Sequence, residues 1–405
     1  MKTIAFTLSL TAGLFVSGLA AAQSPSPDLA FEVIEGHYQA ILGDCAACHT
    51  KPGGEPFAGG APLATPFGTL VPPNITPDKE TGIGNWSYDD FRKAMKTGIG
   101  HDGKRLYPAM PYPAYAKMPD KDIAHLWAYL QTVTPVHNQV EANQLPFPFN
   151  IRALMMGWNL LNFSPKPFAP DPTQSAEWNR GAYLVEGPGH CGTCHTEKTL
   201  LGADKTSVAL EGASLQGWYA PNITGNPYLG IGSWSEADLV TYLKTGVNSH
   251  SIASGPMAEA IEASTSQMKD DDLKAIAVYL KSLKGGDTEK PQPLDASDAR
   301  MKIGAAVYHD TCMACHGGNG QGASQLFPAL AENPIVQQKS AESLIRVVLH
   351  GSQGVATATR PTTPAMPSLS WRLSDEQTAD VLTYIRNSWG NAAEPVKPAD
   401  VKQQR

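Results

Sequence analysis

The sequence predicts an all-α protein of three tandem units, and three observations predict it. One five-residue pattern, Cys-x-x-Cys-His, occurs three times and uses all six cysteines of the chain. A longer pattern repeats at a spacing of 148 residues. Each Cys-x-x-Cys-His lies between amphipathic stretches of helical period.

The repeat defines the units. Pro73-Asn74-Ile75-Thr76 recurs as Pro221-Asn222-Ile223-Thr224, Gly82-Ile83-Gly84-Asn85-Trp86-Ser87 as Gly230-Ile231-Gly232-Ser233-Trp234-Ser235, and Lys96-Thr97-Gly98 as Lys244-Thr245-Gly246. Units one and two are therefore copies of one plan. Unit three is shorter and lacks the Gly-Ile-Gly-x-Trp-Ser segment. It keeps the order helix, motif, proline-containing loop, helix, methionine, helix.

Read in order, the chain opens with Lys2, an apolar run over residues 4–19 and the small residues Ala20-Ala21-Ala22, the pattern of a secretory signal peptide over residues 1–22. The run falls short of the roughly 18–20 apolar residues of a spanning helix, so export with removal of the leader is expected rather than a retained anchor. Domain one then covers 23–142, a proline-rich linker with a short apolar helix 143–174, domain two 175–286, a polar linker 287–296, domain three 297–393 and a loose tail 394–405. Each first helix carries a glycine and a tyrosine: Gly36 and Tyr38, Gly181 and Tyr183, Gly304 and Tyr308. Such a glycine permits close backbone approach, which would let the first and last helices of a unit cross tightly. The last helices show apolar faces at Ile123, Leu126 and Leu130, at Leu273, Ile276 and Leu280, and at Val381, Leu382 and Ile385. Acidic residues open them, where they favour the positive end of the helix dipole.

The motif carries specific chemistry. Two thiols three positions apart on one helical turn can add to the two vinyl groups of a haem, and the adjacent histidine then lies under the iron as proximal ligand. Three covalently attached haem c groups follow, held by Cys45 and Cys48, Cys191 and Cys194, and Cys312 and Cys315, with His49, His195 and His316 on the irons. A structural zinc site would pair two Cys-x-x-Cys units, whereas these lie 146 and 121 residues apart, each with its own histidine. A thioredoxin-like pair would explain one copy, and three disulfides would leave the histidines as coincidences.

A proximal histidine leaves one axial position open. Met110, Met257 and Met366 are the candidates, each beside proline, 61, 62 and 50 residues after its histidine. Met118 and Met268 lack that shared context and read as core fillers. His101, His250 and His350 are the rival ligands, at positions that do not correspond between units; His37, His125, His137, His190 and His309 read as surface residues. The carbonyls of Pro73, Pro221 and Pro328 are candidates to accept the second ring N–H of each proximal histidine. Trp86 and Trp234 suit either haem packing or plain core.

Between units one and two, six prolines surround the apolar stretch from Phe149 to Phe163. It is too short to span a bilayer, and an inter-domain strut, a membrane-surface contact and a docking face for a partner all fit it. With 42% hydrophobic and 17% charged residues the chain is not disordered, and a net charge of −7 excludes a basic nucleic-acid-binding surface.

Taken together, Gly43-Asp44-Cys45-Ala46-Ala47-Cys48-His49-Thr50, Asn74-Ile75-Thr76-Pro77-Asp78, Leu106-Tyr107-Pro108-Ala109-Met110-Pro111-Tyr112, Gly187-Pro188-Gly189-His190-Cys191, Leu326-Phe327-Pro328-Ala329-Leu330-Ala331 and Ile385-Arg386-Asn387-Ser388-Trp389-Gly390 make the chain similar to the tri-haem cytochrome c subunit of membrane-associated periplasmic dehydrogenases, of the alcohol, gluconate and fructose dehydrogenase type. The resemblance covers nearly the whole mature chain. It implies three class I cytochrome c folds with histidine and methionine ligation, in a periplasmic protein on the outer face of the cytoplasmic membrane. It further implies electron passage from a catalytic dehydrogenase subunit, with a small third subunit as a further partner, to membrane ubiquinone or another acceptor of the respiratory chain. No bond-making catalysis is expected of this chain alone. Two other readings stay open: a free soluble electron shuttle to a terminal oxidase, and a peroxidase-type haem enzyme in which site two, with its divergent Met257 loop, keeps an open position.

Overall fold

A computed structural model describes residues 27–286 and 289–405. The expected leader, 1–22, lies outside the described residues. The element that organises each unit is a crossing of its first and last helices: Pro27–Leu42 on Asp120–Leu130, Ala176–Glu186 on Asp270–Ser282, and Ala299–Val307 on Asp375–Arg386. Glycine permits the crossing. A Cβ on Gly36 would sit 1.9 Å from the His125 carbonyl oxygen, on Gly181 2.0 Å from that of Ala275, and on Gly304 2.2 Å from that of Asp380. These separations leave no room for a side chain, so the backbones themselves are in contact.

The Trp-Ser signature of units one and two is a helix start. Ser87 and Ser235 cap the middle helices Tyr88–Thr97 and Glu236–Thr245, each in a reciprocal capping box with Asp90 or Asp238. Gly98 and Gly246 close them in left-handed conformation, at φ 66° and 77°. Unit three caps its last helix in the same manner, with Ser374 and Gln377.

The protein is helix-rich without being all-α. Three two-stranded antiparallel hairpins interrupt it: Leu63–Thr65 with Gly68–Leu70, Ala213–Leu215 with Trp218–Ala220, and Ser352–Gln353 with Ala365–Met366. In the second, Gln216 and Gly217 both take positive φ, the two-residue turn whose twist suits a hairpin. Strands of two or three residues show no alternating pattern, which is why a helix-only reading overlooked them.

Units one and two interlock reciprocally. Tyr38, in the first helix of unit one, donates to Asp272 Oδ2 of unit two at 2.6 Å, and Tyr183, in the first helix of unit two, donates to Asp122 Oδ2 of unit one at 2.6 Å. Asp272 also takes two hydrogen bonds from Arg180, at 2.7 and 2.8 Å. Tyr38 and Leu42 belong to the buried core of unit two. Tyr308 instead stays within unit three, donating to the Gly317 carbonyl at 2.6 Å and packing on Tyr384 and Trp389. Unit three joins unit two through other contacts: Gln338 to the Leu229 carbonyl, Ser343 to the Tyr219 backbone, and Arg346 over the Trp218 ring at 5.2 Å.

The expected loose tail, 394–405, is instead packed. Val396 and Val401 are buried in the core of unit three, the latter on a helix Pro398–Gln404. Arg405 pairs with Asp375 at 2.6 Å and donates to the carbonyls of Ser370 and Leu373. Arg386, 1% exposed, donates to the carbonyls of Glu394, Val336 and Gln338, so the segment lies across the last helix. Two apolar residues among lysines and glutamines gave the sequence too little period to show this.

The connector braces units one and two and also leaves an apolar face in solvent. Arg152 donates to the Arg105 carbonyl and covers the Tyr107 ring, while Trp158 donates to the Leu201 carbonyl at 2.8 Å. On its outer side Phe147, Leu160 and Leu161 are 79%, 86% and 74% exposed. The helix Leu154–Asn162 buries no residue fully.

The crossings make a direct prediction. Gly181→Ala drives a methyl into the Ala275 carbonyl, and overpacking of this kind costs about 1–3 kcal/mol. The variant should melt below wild type by circular dichroism; an equal melting temperature would show that the helices separate freely.

Candidate functional site

Each motif forms one short helical turn: Cys45–His49, Gly192–His195 and Met313–His316. Each histidine then meets a carbonyl. His49 Nδ1 lies 2.7 Å from the Pro73 oxygen, His195 Nδ1 2.7 Å from that of Pro221, and His316 Nδ1 3.1 Å from that of Pro328. A carbonyl can only accept, so Nδ1 carries the proton and the Nε2 lone pair is left free. Burial holds all three imidazoles below the usual histidine range and therefore neutral.

The Pro-Asn-Ile-Thr repeat braces the accepting carbonyls. Asn74 Oδ1 accepts from the Thr76 amide at 2.9 Å and from its hydroxyl at 2.7 Å, and Asn222 does the same for Thr224 at 2.8 and 2.7 Å. All four residues are buried. A further brace was missed in the sequence. The amides of Gly59, Gly212 and Gly322 donate to the carbonyls of His49, His195 and His316 at 2.7, 2.8 and 2.8 Å. All three glycines take positive φ, and a Cβ on Gly322 would meet the Phe327 oxygen at 2.4 Å. They follow their histidines by 10, 17 and 6 residues, so no fixed spacing betrayed them.

The candidate methionines sit on three different elements. Met110 lies in a turn closed by its amide on the Tyr107 carbonyl and packs on the core of unit one. Met366 is in the second strand of the third hairpin and packs on the core of unit three. Met257 is in the first turn of the helix Pro256–Ala263, against Ala253, Ile261 and Val355. Met118 and Met268 are buried in cores, at 1% and 2% exposure.

The histidines need correcting. His101 stacks on Trp86 at 6.0 Å and faces Asp90 at 3.1 Å; His250 stacks on Trp234 at 5.1 Å and faces Asp238 at 3.6 Å. They are counterparts, hidden by a spacing of 149 rather than 148 residues. His350 contacts the Gln404 carbonyl at 2.9 Å. His125 is 8% exposed, against the surface expectation. His190 is half-buried, its Nε2 3.3 Å from the Gly43 oxygen, a contact between the motif regions of units one and two.

One continuous cavity of about 3170 Å³ unites these groups. It is lined by all six cysteines, by His49, His195 and His316, and by Met110, Met257 and Met366. Its volume is about three times the upper end of the roughly 300–1,000 Å³ of a single ligand pocket. The cysteines are not disulfide-bonded. Burial pushes the thiols of Cys45 and Cys191 up to about 12 and those of Cys48 and Cys312 up to about 11. A site that disfavours thiolate suits an uncharged thioether, the form sulfur takes when bound to a haem vinyl. The donor set, the free Nε2 and the apolar enclosure thus fit haem c.

The fold and the site define a c-type cytochrome. The cytochrome c family model matches residues 35–134, 179–284 and 301–389, and the chain belongs to that family, whose domains carry covalently bound haem c. It is 43% identical to the gluconate 2-dehydrogenase cytochrome c subunit of Pantoea cypripedii, over 89% of this chain and 86% of that one. Identity is 40% with the cytochrome c subunit of the quinone alcohol dehydrogenase of Gluconacetobacter polyoxogenes, over 98% and 89%, and 39% with the fructose dehydrogenase cytochrome subunit of Gluconobacter japonicus, over 98% and 88%. A solved thiosulfate dehydrogenase from Marichromatium purpuratum aligns over 90% of this chain and 71% of that one at 16% identity and a TM-score of 0.19, too weak a likeness to bear on the fold.

The glycine brace is testable. Gly322→Val strains a left-handed position and displaces the segment that bears the Pro328 carbonyl. The haem-to-chain ratio by pyridine haemochrome should fall below wild type, and an unchanged ratio with an unchanged Soret circular dichroism would deny the brace a part in the site.

Proposed function

We propose that this chain is a tri-haem electron-transfer subunit that takes electrons from a catalytic quinoprotein or flavoprotein dehydrogenase subunit and passes them to membrane ubiquinone or the respiratory chain. The observation that carries the reading is the repetition of one donor set, two cysteines, a carbonyl-oriented histidine and a proline-flanked methionine, around one continuous cavity. The named relatives, cytochrome subunits of gluconate, alcohol and fructose dehydrogenases, supply the class of partner.

Haem c supplies a one-electron iron couple, whose potential histidine and methionine ligation raises. The protein's own part is positional. Cys45 and Cys48, Cys191 and Cys194, and Cys312 and Cys315 are the covalent anchors, one pair per domain. His49, His195 and His316 would offer Nε2 to the irons, and Met110, Met257 and Met366 would complete the coordination. The apolar lining excludes water, so little solvent has to reorganise when charge changes. Sites whose two axial positions would both be held by protein suit outer-sphere transfer rather than substrate binding, and the bond chemistry would then lie in the partner.

The compartment belongs to the same proposal: export directed by residues 1–22, residence in the periplasm, and peripheral attachment to the outer face of the cytoplasmic membrane, with a small third subunit completing the complex. Among the described residues no helix is long and apolar enough to cross a membrane. The exposed Phe147, Leu160 and Leu161 of the connector, with Leu200 97% exposed nearby, support a surface contact.

Three outcomes are expected. Met110→Ala, Met257→Ala and Met366→Ala should each remove one component of the far-red sulfur-to-iron band; an intact band would reject that methionine as ligand. A complex purified without this chain should still reduce a dye acceptor but not ubiquinone, and retained quinone reduction would overturn the electron-transfer role. Replacing Leu160 and Leu161 together by Glu should lower cosedimentation with phospholipid vesicles, and undiminished binding would move the membrane contact elsewhere.

A further inference from the structure

Units one and two end their middle helices on corresponding glycines, Gly98 and Gly246, yet cover them differently. In unit one the cover is the ring of Tyr112. A Cβ on Gly98 would meet two of its ring atoms at 2.7 Å, and Tyr112 is 0% exposed. Tyr112 follows Met110 by two residues, and its amide donates to the Met110 carbonyl at 2.7 Å. A buried ring thus pins the chain beside the methionine.

Unit two has no such ring, because Met257 is followed by Ala258 and Glu259. Its glycine is covered from unit three. A Cβ on Gly246 would meet Val355 Cγ1 at 2.0 Å. Val355 is 5% exposed and forms a small cluster with Ala253 and Ile261, against which Met257, Ala258 and Tyr242 pack. Next to it, a Cβ on Gly354 would meet Ile252 Cγ2 at 3.2 Å, and the Gly354 amide donates to the Pro364 carbonyl at 3.1 Å. The segment that delivers Val355 is therefore anchored beside the hairpin that carries Met366.

We propose that Val355 is a positioning residue for the second iron site, supplied by unit three in place of the aromatic ring that unit two lacks, and that it secures Met257 as axial ligand. The proposal rests on the assignment of Met257 as that ligand. Its Cγ1 methyl fills the space over Gly246, and Met257 packs on the cluster that Val355 completes. Truncation leaves that space open in a buried site, where neighbours relax only partly.

The test uses the full-length, haem-loaded protein. Met257→Ala and Met366→Ala first assign the far-red components and midpoint potentials of sites two and three. Val355→Ala should then weaken the site-two component, shift its midpoint to lower potential and allow carbon monoxide to bind at that site after reduction. The same measurements on Val355→Ile, which keeps a branched side chain, should stay near wild type. If Val355→Ala changes none of the three readouts while Met257→Ala removes its component, Val355 is packing alone and the proposal falls with the ligand assignment intact. A change confined to the component assigned by Met366→Ala also overturns it, since Val355 would then serve only its own hairpin. Loss of no component in Met257→Ala overturns the ligand assignment itself.

Discussion

The hydrogen bond from each motif histidine to a proline carbonyl is the constraint on which the rest of the molecule depends. A buried imidazole can serve an iron only if it is neutral, in one tautomer and in one orientation, and a single acceptor at Nδ1 fixes all three. That acceptor has to be held in turn. Asn74 and Asn222 fold the loop behind it, and Gly59, Gly212 and Gly322 tie the histidine's own backbone to the same region. In units one and two the loop is then seated on the core through Ile75 and Ile223.

Much of this was legible because it is written in local pattern. The three motifs, the 148-residue interval, the glycines at the crossings and the acidic helix starts are all short-range signals, and the structure uses each of them. What was not legible is long-range or irregular. The hairpins are too short for a period. The tail is held by two valines and by Arg386 and Arg405, whose partners, Asp375 apart, are backbone carbonyls that no side-chain pattern reveals. His101 and His250 correspond only after a one-residue shift, and the reciprocal tyrosines pair with residues more than 60 positions away. Val355 is a further case, since its partner glycine also lies in another unit.

The three units are therefore not beads on a string. Units one and two share a core and a pair of exchanged hydrogen bonds, whereas unit three attaches through the face of the second hairpin and reaches into the methionine region of unit two. One cavity borders the donor sets of all three. The packing between units, as well as within them, therefore shapes the space that the donor sets share.

The exchanged tyrosines carry an implication for the origin of the chain. Tyr38 with Asp272 and Tyr183 with Asp122 form the same contact twice, in opposite senses, which is the pattern of a two-fold homodimer. A duplicated gene that kept this contact would have joined two such subunits end to end, and the connector 143–174 would be the splice. The covalent link is then secondary to the interface, and a chain cut within that connector would hold its halves together as the ancestral pair did.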